Sequence, residues 1–397
     1  MMRTALLAWD YPPSPSGLST AAREIAMALS GEGCDVTVFT LDRSGAEDID
    51  GVRVVGCDIP DQSRIGRLRK WAAIGHAAAP LRFRQAVLRD HAAKPFDVVE
   101  ATNWYAPASL LTGRHGFALV TRNSTPAAWS RMAELPVRDK LDAAAADLLE
   151  KKQARSSAGL ISNTDEHGRR IVDLYKIDSQ IPHRTIGLSL PPELLKTAQS
   201  SPYPAGEEPV RILFVGRAEQ RKGFAELMGA VEILAAEVAS GTLPPFHVNL
   251  LGVPSVDLPS QMSAHARERV TALGRQPDEM LHDLYRQAHI VAAPSRYESF
   301  GLVYQEAIAF GRPVVASAED PSAREFVGAT GAGLLAERTL PQDIAASLRS
   351  LIQSPQLREQ LHHRAVLAAG RFDRPYLGRE TMALYRQAIA KSGKARS

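Results

Sequence analysis

The sequence predicts an α/β protein built from two doubly wound, parallel-sheet domains. Short apolar runs suited to buried parallel strands alternate with longer helical segments through both halves of the chain. One stretch, residues 188–209, breaks that rhythm with five prolines. At 397 residues the chain is long enough for two domains with separate cores.

In chain order, RTALLAW (3–9) is a strand, and a Pro/Gly/Ser loop links it to a helix that ends in the glycines of SGEG. CDVTVFT (34–40) and VRVVGCD (52–58) are the next strands, and residues 64–90 read as helical. FDVVEA (96–101), FALVTR (117–122) and GLISNT (159–164) are strands. A long helix from 136 stops at Gly159. Beyond the prolines come VRILFVG (210–216), a helix to Ala239, FHVNLLG (246–252), the short strand of VTALG (270–274), a helix near 277–287 and HIVAAPS (289–295). The last helix runs from about Tyr376 to Ala390. The expected domains are 1–187 and 210–371, joined by a linker at 188–209, with 372–397 as a C-terminal helix.

Composition is globular, 45% hydrophobic and 23% charged. The net charge of +3 is too small to argue for nucleic acid. Cys34 and Cys57, the two cysteines, have neither metal-ligand nor redox spacing and suit a reducing compartment. The apolar run after Arg3 is too short for a signal peptide, and none reaches the roughly 18 residues of a membrane helix. A soluble, cytoplasmic protein is expected.

Residues 291–317, VAAPSRYESFGLVYQEAIAFGRPVVAS, are the most informative stretch. They read as strand, polar turn, helix, glycine stop and strand. A strand that feeds a glycine-containing turn and a helix start leaves backbone amides free to bind an anion, here those of Ser299, Phe300, Gly301, Leu302 and Val303. In open α/β sheets this edge is where ligands bind. Glu298, beside an anion site, suits hydroxyl groups better than phosphate. Glu306, about two helical turns on, suits a more distant diol. Phosphate, sugar and ribose contacts in one stretch point to a nucleotide sugar. A glycosidase-like pairing of the two carboxyls fits poorly. Eight helical positions separate their backbones by roughly 12 Å, beyond the about 5–9.5 Å of such pairs.

Pro294-Ser295, Glu298-Ser299-Phe300-Gly301, Glu306-Ala307 and Gly311-x-Pro313-Val314-Val315 resemble the signature of the retaining glycosyltransferases of family 4. The resemblance implies the GT-B fold, in which two Rossmann-like domains face each other across a cleft. The first domain then takes the acceptor and the second the donor, and the C-terminal helix returns to the first domain. It implies that Glu298 contacts the transferred sugar and Glu306 the ribose. In RILFVGRAEQRKG (211–223) it implies a diphosphate role for Arg217 and Lys222 beside Gly216. It places base-binding backbone near Arg275 and Gln276. It implies retention through the departing diphosphate oxygen, with the nucleotide sugar as substrate and neither cofactor nor metal.

Two positions depart from the family pattern. Its adjacent glycines after the first strand are Gly17-Leu18 here. Its sugar-facing histidine is matched by Ser124 in TRNSTP (121–126), which cannot take a proton at neutral pH as an imidazole can. Asn103, Trp104, Arg122 and Asn123 are the expected acceptor contacts around it. Two other readings stand beside the transferase: a GT-B-fold nucleotide-sugar epimerase and a non-catalytic nucleotide-sugar-binding subunit. Asp48-Ile49-Asp50 has the Asp-x-Asp form of metal-dependent transferases but reads as a solvated turn, and His362-His363 as helix surface.

From Arg64 to Arg89 seven basic residues occur without an acidic one, interleaved with Ile65, Leu68, Trp71, Ile74, Leu81 and Phe83. Such a stretch either lies on an anionic bilayer at the cytoplasmic face, near a lipid-linked acceptor, or packs its apolar side on the sheet.

Overall fold

The structure is a computed structural model describing residues 1–14, 16–113, 115–130, 136–204, 209–371 and 373–394. Pro15 of the first loop and residues 205–208 of the expected linker lie outside these. The chain divides into two compact units, Met1–Ser189 with Asp373–Ser397, and Leu190–Phe372.

The first unit contains β1 (Arg3–Ala8), α1 (Gly17–Gly31), β2 (Asp35–Thr40), β3 (Ala46–Ile49), β4 (Val52–Gly56), α2 (Arg64–Leu68), α3 (Ala78–Ala93), β5 (Val98–Thr102), β6 (Ala118–Asn123), α4 (Val137–Arg155), β7 (Gly159–Ser162), α5 (Asp165–Tyr175) and β8 (His183–Thr185). Its sheet runs β3-β4-β2-β1-β5-β6-β7-β8, and every pair is parallel except β3–β4. β1 is buried along its whole length, as a central parallel strand must be. Ser16 caps α1 by accepting the Ser19 N–H at 3.0 Å.

Three sequence expectations change here. Asp48 and Ile49 belong to the edge strand β3, and only Asp50 turns, at φ 55°. This strand is almost wholly exposed, so it carries no apolar alternation to reveal it. Residues 64–90 form two α-helices with a break between them. α2 ends at Leu68, Ala73 takes a left-handed φ of 59°, and the Asp142 carboxylate on α4 accepts its N–H at 2.5 Å. The segment expected as a linker contains a helix, α6 (Pro192–Gln199), because Pro192 stands at its first turn, where proline is tolerated. Beyond it, the Tyr203 hydroxyl donates to His289 O at 2.9 Å, and Arg312 donates to Pro202 O at 2.9 Å.

The second unit continues with β9 (Val210–Val215), α7 (Phe224–Ala239), β10 (Phe246–Leu251), α8 (Ala264–Arg267), β11 (Val270–Gly274), α9 (Asp278–Gln287), β12 (Ile290–Ala293), α10 (Leu302–Ala309), β13 (Val314–Ser317), α11 (Pro321–Ala323), β14 (Gly333–Ala336), α12 (Pro341–Gln353) and α13 (Pro355–Ala368). All of its strand pairs are parallel, in the order β11-β10-β9-β12-β13-β14. Its core packs Ile212 and Phe214 of β9 with Leu227, Val231 and Leu234 of α7 and Ile344 and Leu348 of α12. The last helix, α14 (Arg374–Lys394), belongs to the first unit. There Arg374 grips the buried Glu24 of α1 with two hydrogen bonds of 2.9 and 2.6 Å.

Candidate active site

Strand order reverses direction between β9 and β12 in the second sheet, and between β1 and β5 in the first. Ligands of doubly wound sheets bind outside the strand ends at such points. In the second unit the two turns that leave β9 and β12 are the ones bearing Arg217 to Gly223 and Pro294 to Gly301.

These turns are locked together by backbone. Gly223 sits at φ 67°, and a Cβ there would lie 2.2 Å from Pro294 O, so glycine is required for the approach. The Arg296 N–H donates to Arg221 O at 2.8 Å. This brings the side chains into contact. Lys222 Nζ lies 2.6 Å from Glu298 Oε1 and Arg221 Nη1 3.0 Å from Oε2, while the Ser295 hydroxyl donates to Oε1 at 2.8 Å. Burial alone would raise the Glu298 carboxyl, but Lys222 and Arg221 outweigh it and hold the group below the usual glutamate value. Glu298 is therefore an anion at neutral pH and not a general acid.

A second layer fixes Glu298. Its N–H donates to Asp320 Oδ1 at 3.0 Å, the Ser322 hydroxyl donates to its carbonyl at 2.8 Å, and the Tyr304 hydroxyl donates to Asp320 Oδ2 at 2.6 Å. Burial, reinforced by the charge on Glu298, pushes Asp320 up to about 7. Gly301 opens α10 at φ 73°, where a Cβ would strike the Tyr304 ring at 2.3 Å. Among the described residues nothing in the chain accepts the N–H groups of Ser299, Phe300, Gly301, Leu302 or Val303, so this helix start offers a set of free donors. Glu306, on the same helix, accepts from the Tyr285 hydroxyl at 2.8 Å, and burial raises its carboxyl to about 7.

Arg217, expected with Lys222 to hold the diphosphate, does not join the cluster on Glu298. Its side chain is 76% exposed and rests on Glu219 at 2.8 Å, and Arg221 takes the position on Glu298. Both arginines stand in one basic turn, and only its 3-10 geometry at Gln220–Lys222 decides which faces inward. No local pattern marks Tyr285 or Asp320 in the sequence, because each lies on a different element from the glutamate it bonds. Arg275 is exposed after β11, and the Gln276 side chain donates to Leu273 O at 2.6 Å. Gly216, at the end of β9, would place a Cβ 3.3 Å from the Phe214 ring.

In the first unit, Gly17 is exposed and opens α1 itself, so it belongs to the helix and not to the preceding loop. Ser124 follows β6. Its hydroxyl meets Thr102 Oγ1 at 2.8 Å and Asn103 Oδ1 at 3.1 Å, and its N–H donates to Asn103 Oδ1 at 2.6 Å. Asn103 is fully buried and spends its carbonyl on Ser124, so its part is to position that loop. Arg122 does not fit an acceptor contact. It is buried and bonded to Glu100 at 2.7 Å and to Thr381 of α14 at 3.1 Å, and the one nitrogen left without a partner among the described residues, Nη1, is itself shut away from solvent. The Asn123 side chain is likewise buried and donates to Ser162 Oγ at 3.0 Å. Trp104 is half-buried at the end of β5.

Residues 196–366 match the profile described as glycosyl transferases group 1, and residues 16–181 match that of the glycosyl transferase 4-like domain. The chain belongs to the group 1, family 4-like glycosyltransferases. It is 28% identical to the D-inositol 3-phosphate glycosyltransferase of Nocardioides sp. over 415 residues, covering 96% of this chain and 87% of that one. Its fold is that of sucrose-phosphate synthase from Thermosynechococcus elongatus, at a TM-score of 0.74 and 21% identity over 98% of this chain and 100% of that one. It is also that of HepE of Anabaena in complex with UDP and glucose, at a TM-score of 0.66 and 18% identity over 96% and 99%. This glycosyltransferase thus has the two parallel-sheet α/β domains of the GT-B fold. Among its described residues no helix is long and apolar enough to cross a membrane.

Proposed function

We propose that this glycosyltransferase moves a sugar from a nucleoside diphosphate sugar to an acceptor hydroxyl with retention of configuration, in the assembly of a glycan, glycolipid or polysaccharide. The observation that carries the donor assignment is the meeting of Lys222, Arg221 and Glu298 with five free amides at the reversal point of the second sheet. The amides and the two cations hold the diphosphate and stabilise the charge that grows on it as the glycosidic oxygen departs. Arg217, exposed on the same turn, closes on the outer phosphate. Glu306 accepts from the ribose diol and Glu298 from hydroxyls of the transferred sugar, while Arg275 and Gln276 border the base. The departing oxygen takes the acceptor's proton on the face from which it leaves. Cationic side chains do the neutralising, so transfer proceeds without a divalent ion and survives a chelator.

The test is a thermal-shift panel of nucleoside diphosphates and their sugars, followed by product analysis with the stabilising donor. An acceptor-dependent product with the donor's anomeric configuration supports the reading. Inversion overturns retention, acceptor-independent isomerisation of the sugar points to an epimerase, and binding without turnover points to a non-catalytic subunit.

A second reading concerns location at the inner face of a membrane. α3 buries Phe83 and Val87 in the sheet, but at the break before it Trp71 is 67% and Ile74 56% exposed, beside exposed Arg64, Arg67, Arg69 and Lys70. An amphipathic ring inserted at the headgroups with cations around it suits an anionic bilayer, at about 1 kcal/mol per cation. Co-sedimentation with anionic but not neutral vesicles, lost on Trp71→Ala with Arg67 and Lys70 neutralised, checks it. Equal recovery in the supernatant with both vesicle types ends it.

A further inference from the structure

Arg312, in the turn between α10 and β13, is fully buried, and its side-chain hydrogen bonds go to main-chain carbonyls. Nε donates to Tyr285 O at 2.8 Å, and Nη2 to Pro202 O at 2.9 Å and Arg286 O at 3.3 Å. The guanidinium carbon lies 5.4 Å from the centre of the Tyr203 ring. Among the described residues no carboxylate pairs with it, and Nη1 is shut away without a partner. Burial lowers the group only to about 10, so it stays a cation at neutral pH.

Two of those carbonyls, of Tyr285 and Arg286, lie in the last turn of α9, where the helix leaves them unpaired and a cation is favoured. Tyr285 is also held from α10 and its end. Its ring stacks on Phe310 at 5.2 Å with 12° between the planes, and its hydroxyl donates to Glu306 Oε2 at 2.8 Å. Glu306, Phe310 and Arg312 thus hold one tyrosine by hydroxyl, ring and carbonyl, although it stands on another helix. Gly311 makes this grip possible. At φ 68° it stops α10 and turns the chain, and the Arg312 N–H then donates to Ala307 O at 2.8 Å.

A buried cation facing neutral carbonyls stabilises a fold poorly, because desolvation cancels most of what it gains. Its fork is planar and rigid, so it fixes the geometry of whatever it grips. Here that geometry decides where the Tyr285 hydroxyl lies. The hydroxyl stands at the end of a long side chain, and a small roll of α9 would carry it off Glu306. With that hydroxyl on Oε2, the other oxygen of Glu306 has no partner among the described residues and is left for a ligand, in one fixed orientation. We propose that Arg312 is a positioning residue of the donor site: acting through Tyr285, it sets the Glu306 carboxylate at the angle that two neighbouring ribose hydroxyls require. This rests on the ribose contact assigned to Glu306 above. Arg312 itself touches no part of the donor. Loss of its fork leaves the carboxylate present but free to turn, so ribose is held less well while diphosphate and base contacts persist.

The experiment is calorimetry on the full chain with the nucleoside diphosphate that gives the largest thermal shift and with its 2′,3′-dideoxy counterpart, which offers Glu306 no hydroxyl. Wild type should prefer the ribose form by roughly tenfold or more, the worth of a charge-assisted hydrogen bond. Arg312→Ala would orphan three carbonyls and open a cavity. The variants are therefore Arg312→Lys, which keeps the charge without the fork, and Tyr285→Phe, which keeps the ring without the hydroxyl. Each should lower the preference by roughly threefold or more, with the dideoxy ligand bound within about twofold of wild type. The double variant should lose no more than Tyr285→Phe alone, as required if one residue acts through the other. Equal losses for both ligands mean an arginine that only supports the fold. Losses that add in the double variant mean a route that bypasses Tyr285, and an undiminished preference in Arg312→Lys means no positioning role. Each of these three results overturns the proposal. A wild type that binds both ligands alike is a different failure: it removes the ribose contact of Glu306, and the proposal falls with it.

Discussion

Glu306 gives the donor site a pH dependence that can be worked out in advance. Its carboxyl is raised from 4.5 to about 7, chiefly by burial, while the Tyr285 hydrogen bond pulls the other way. A ribose diol that donates to it favours the ionised form, so donor binding is coupled to loss of that proton. With a value near 7, roughly one carboxyl in eleven is ionised at pH 6 and ten in eleven at pH 8. The dissociation constant should therefore fall by roughly tenfold across that interval. The sign is opposite for the unliganded protein. Its folded carboxyl keeps a proton that the unfolded chain has released, so this group costs stability increasingly as pH rises from 4.5 to about 7. The assay is calorimetry with the nucleoside diphosphate that gives the largest thermal shift, at pH 6, 7 and 8, on wild type and Glu306→Gln. The terminal phosphate of the ligand also titrates in this range, so the quantity read is the ratio of the two proteins' constants. At pH 8 the variant should bind about 1.5–3 kcal/mol more weakly, and the gap should close towards pH 6. Parallel pH profiles for the two proteins would remove Glu306 from the ribose contact.

Arg221→Ala should cut turnover more deeply than Arg217→Ala, because Arg221 is bonded to Glu298 and Arg217 is not. Steady-state kinetics of the two variants decide it, and equal losses would contradict the placement. Gly223→Ala should lower the thermal midpoint by an amount equivalent to about 1–3 kcal/mol and weaken donor binding together, since its Cβ would push the β9 turn off Pro294. Unchanged melting would mean that the two turns are not wedged as described. Arg374→Ala should cost about 3–5 kcal/mol in chemical denaturation, because Glu24, at 1% exposure, keeps only the Ser189 hydroxyl at 2.7 Å as a partner among the described residues. A loss below about 1 kcal/mol would show that the pair is relaxed by solvent.

What could be read from the sequence was what neighbouring residues determine. The strand–turn–helix over 290–309 follows from an apolar run, a polar turn and Gly301, all within reach of one another along the chain. The sites of failure are contacts made at long sequence distance. Arg122 looks like an acceptor residue in TRNSTP, and only the pairing of β5 with β6 and the docking of α14 show that Glu100 and Thr381 consume it. Arg221 and Arg217 differ by four positions in a turn whose shape no periodicity encodes. Arg312 and Tyr285 stand 27 positions apart, and nothing local shows that one holds the other. β3 went unseen because an exposed four-residue edge strand has no buried face to print on the sequence, and α6 because prolines that begin a helix look like prolines that prevent one.

The return of α14 to the first unit makes that unit discontinuous, with the whole second unit threaded between its two pieces. On a ribosome the second unit is complete and can close while the first still lacks its final helix. Until residues 374–385 emerge, Glu24 and the Glu100–Arg122 pair have no Arg374, Thr381 or Tyr385 to cover them, and the hydroxyl of Tyr385 alone supplies a 2.7 Å bond to Glu100. The half of the enzyme made first is thus the half finished last, and a stop codon shortly before residue 374 would spare the donor-binding unit while leaving Glu24 without its cation and the Glu100–Arg122 pair without its hydroxyl partners.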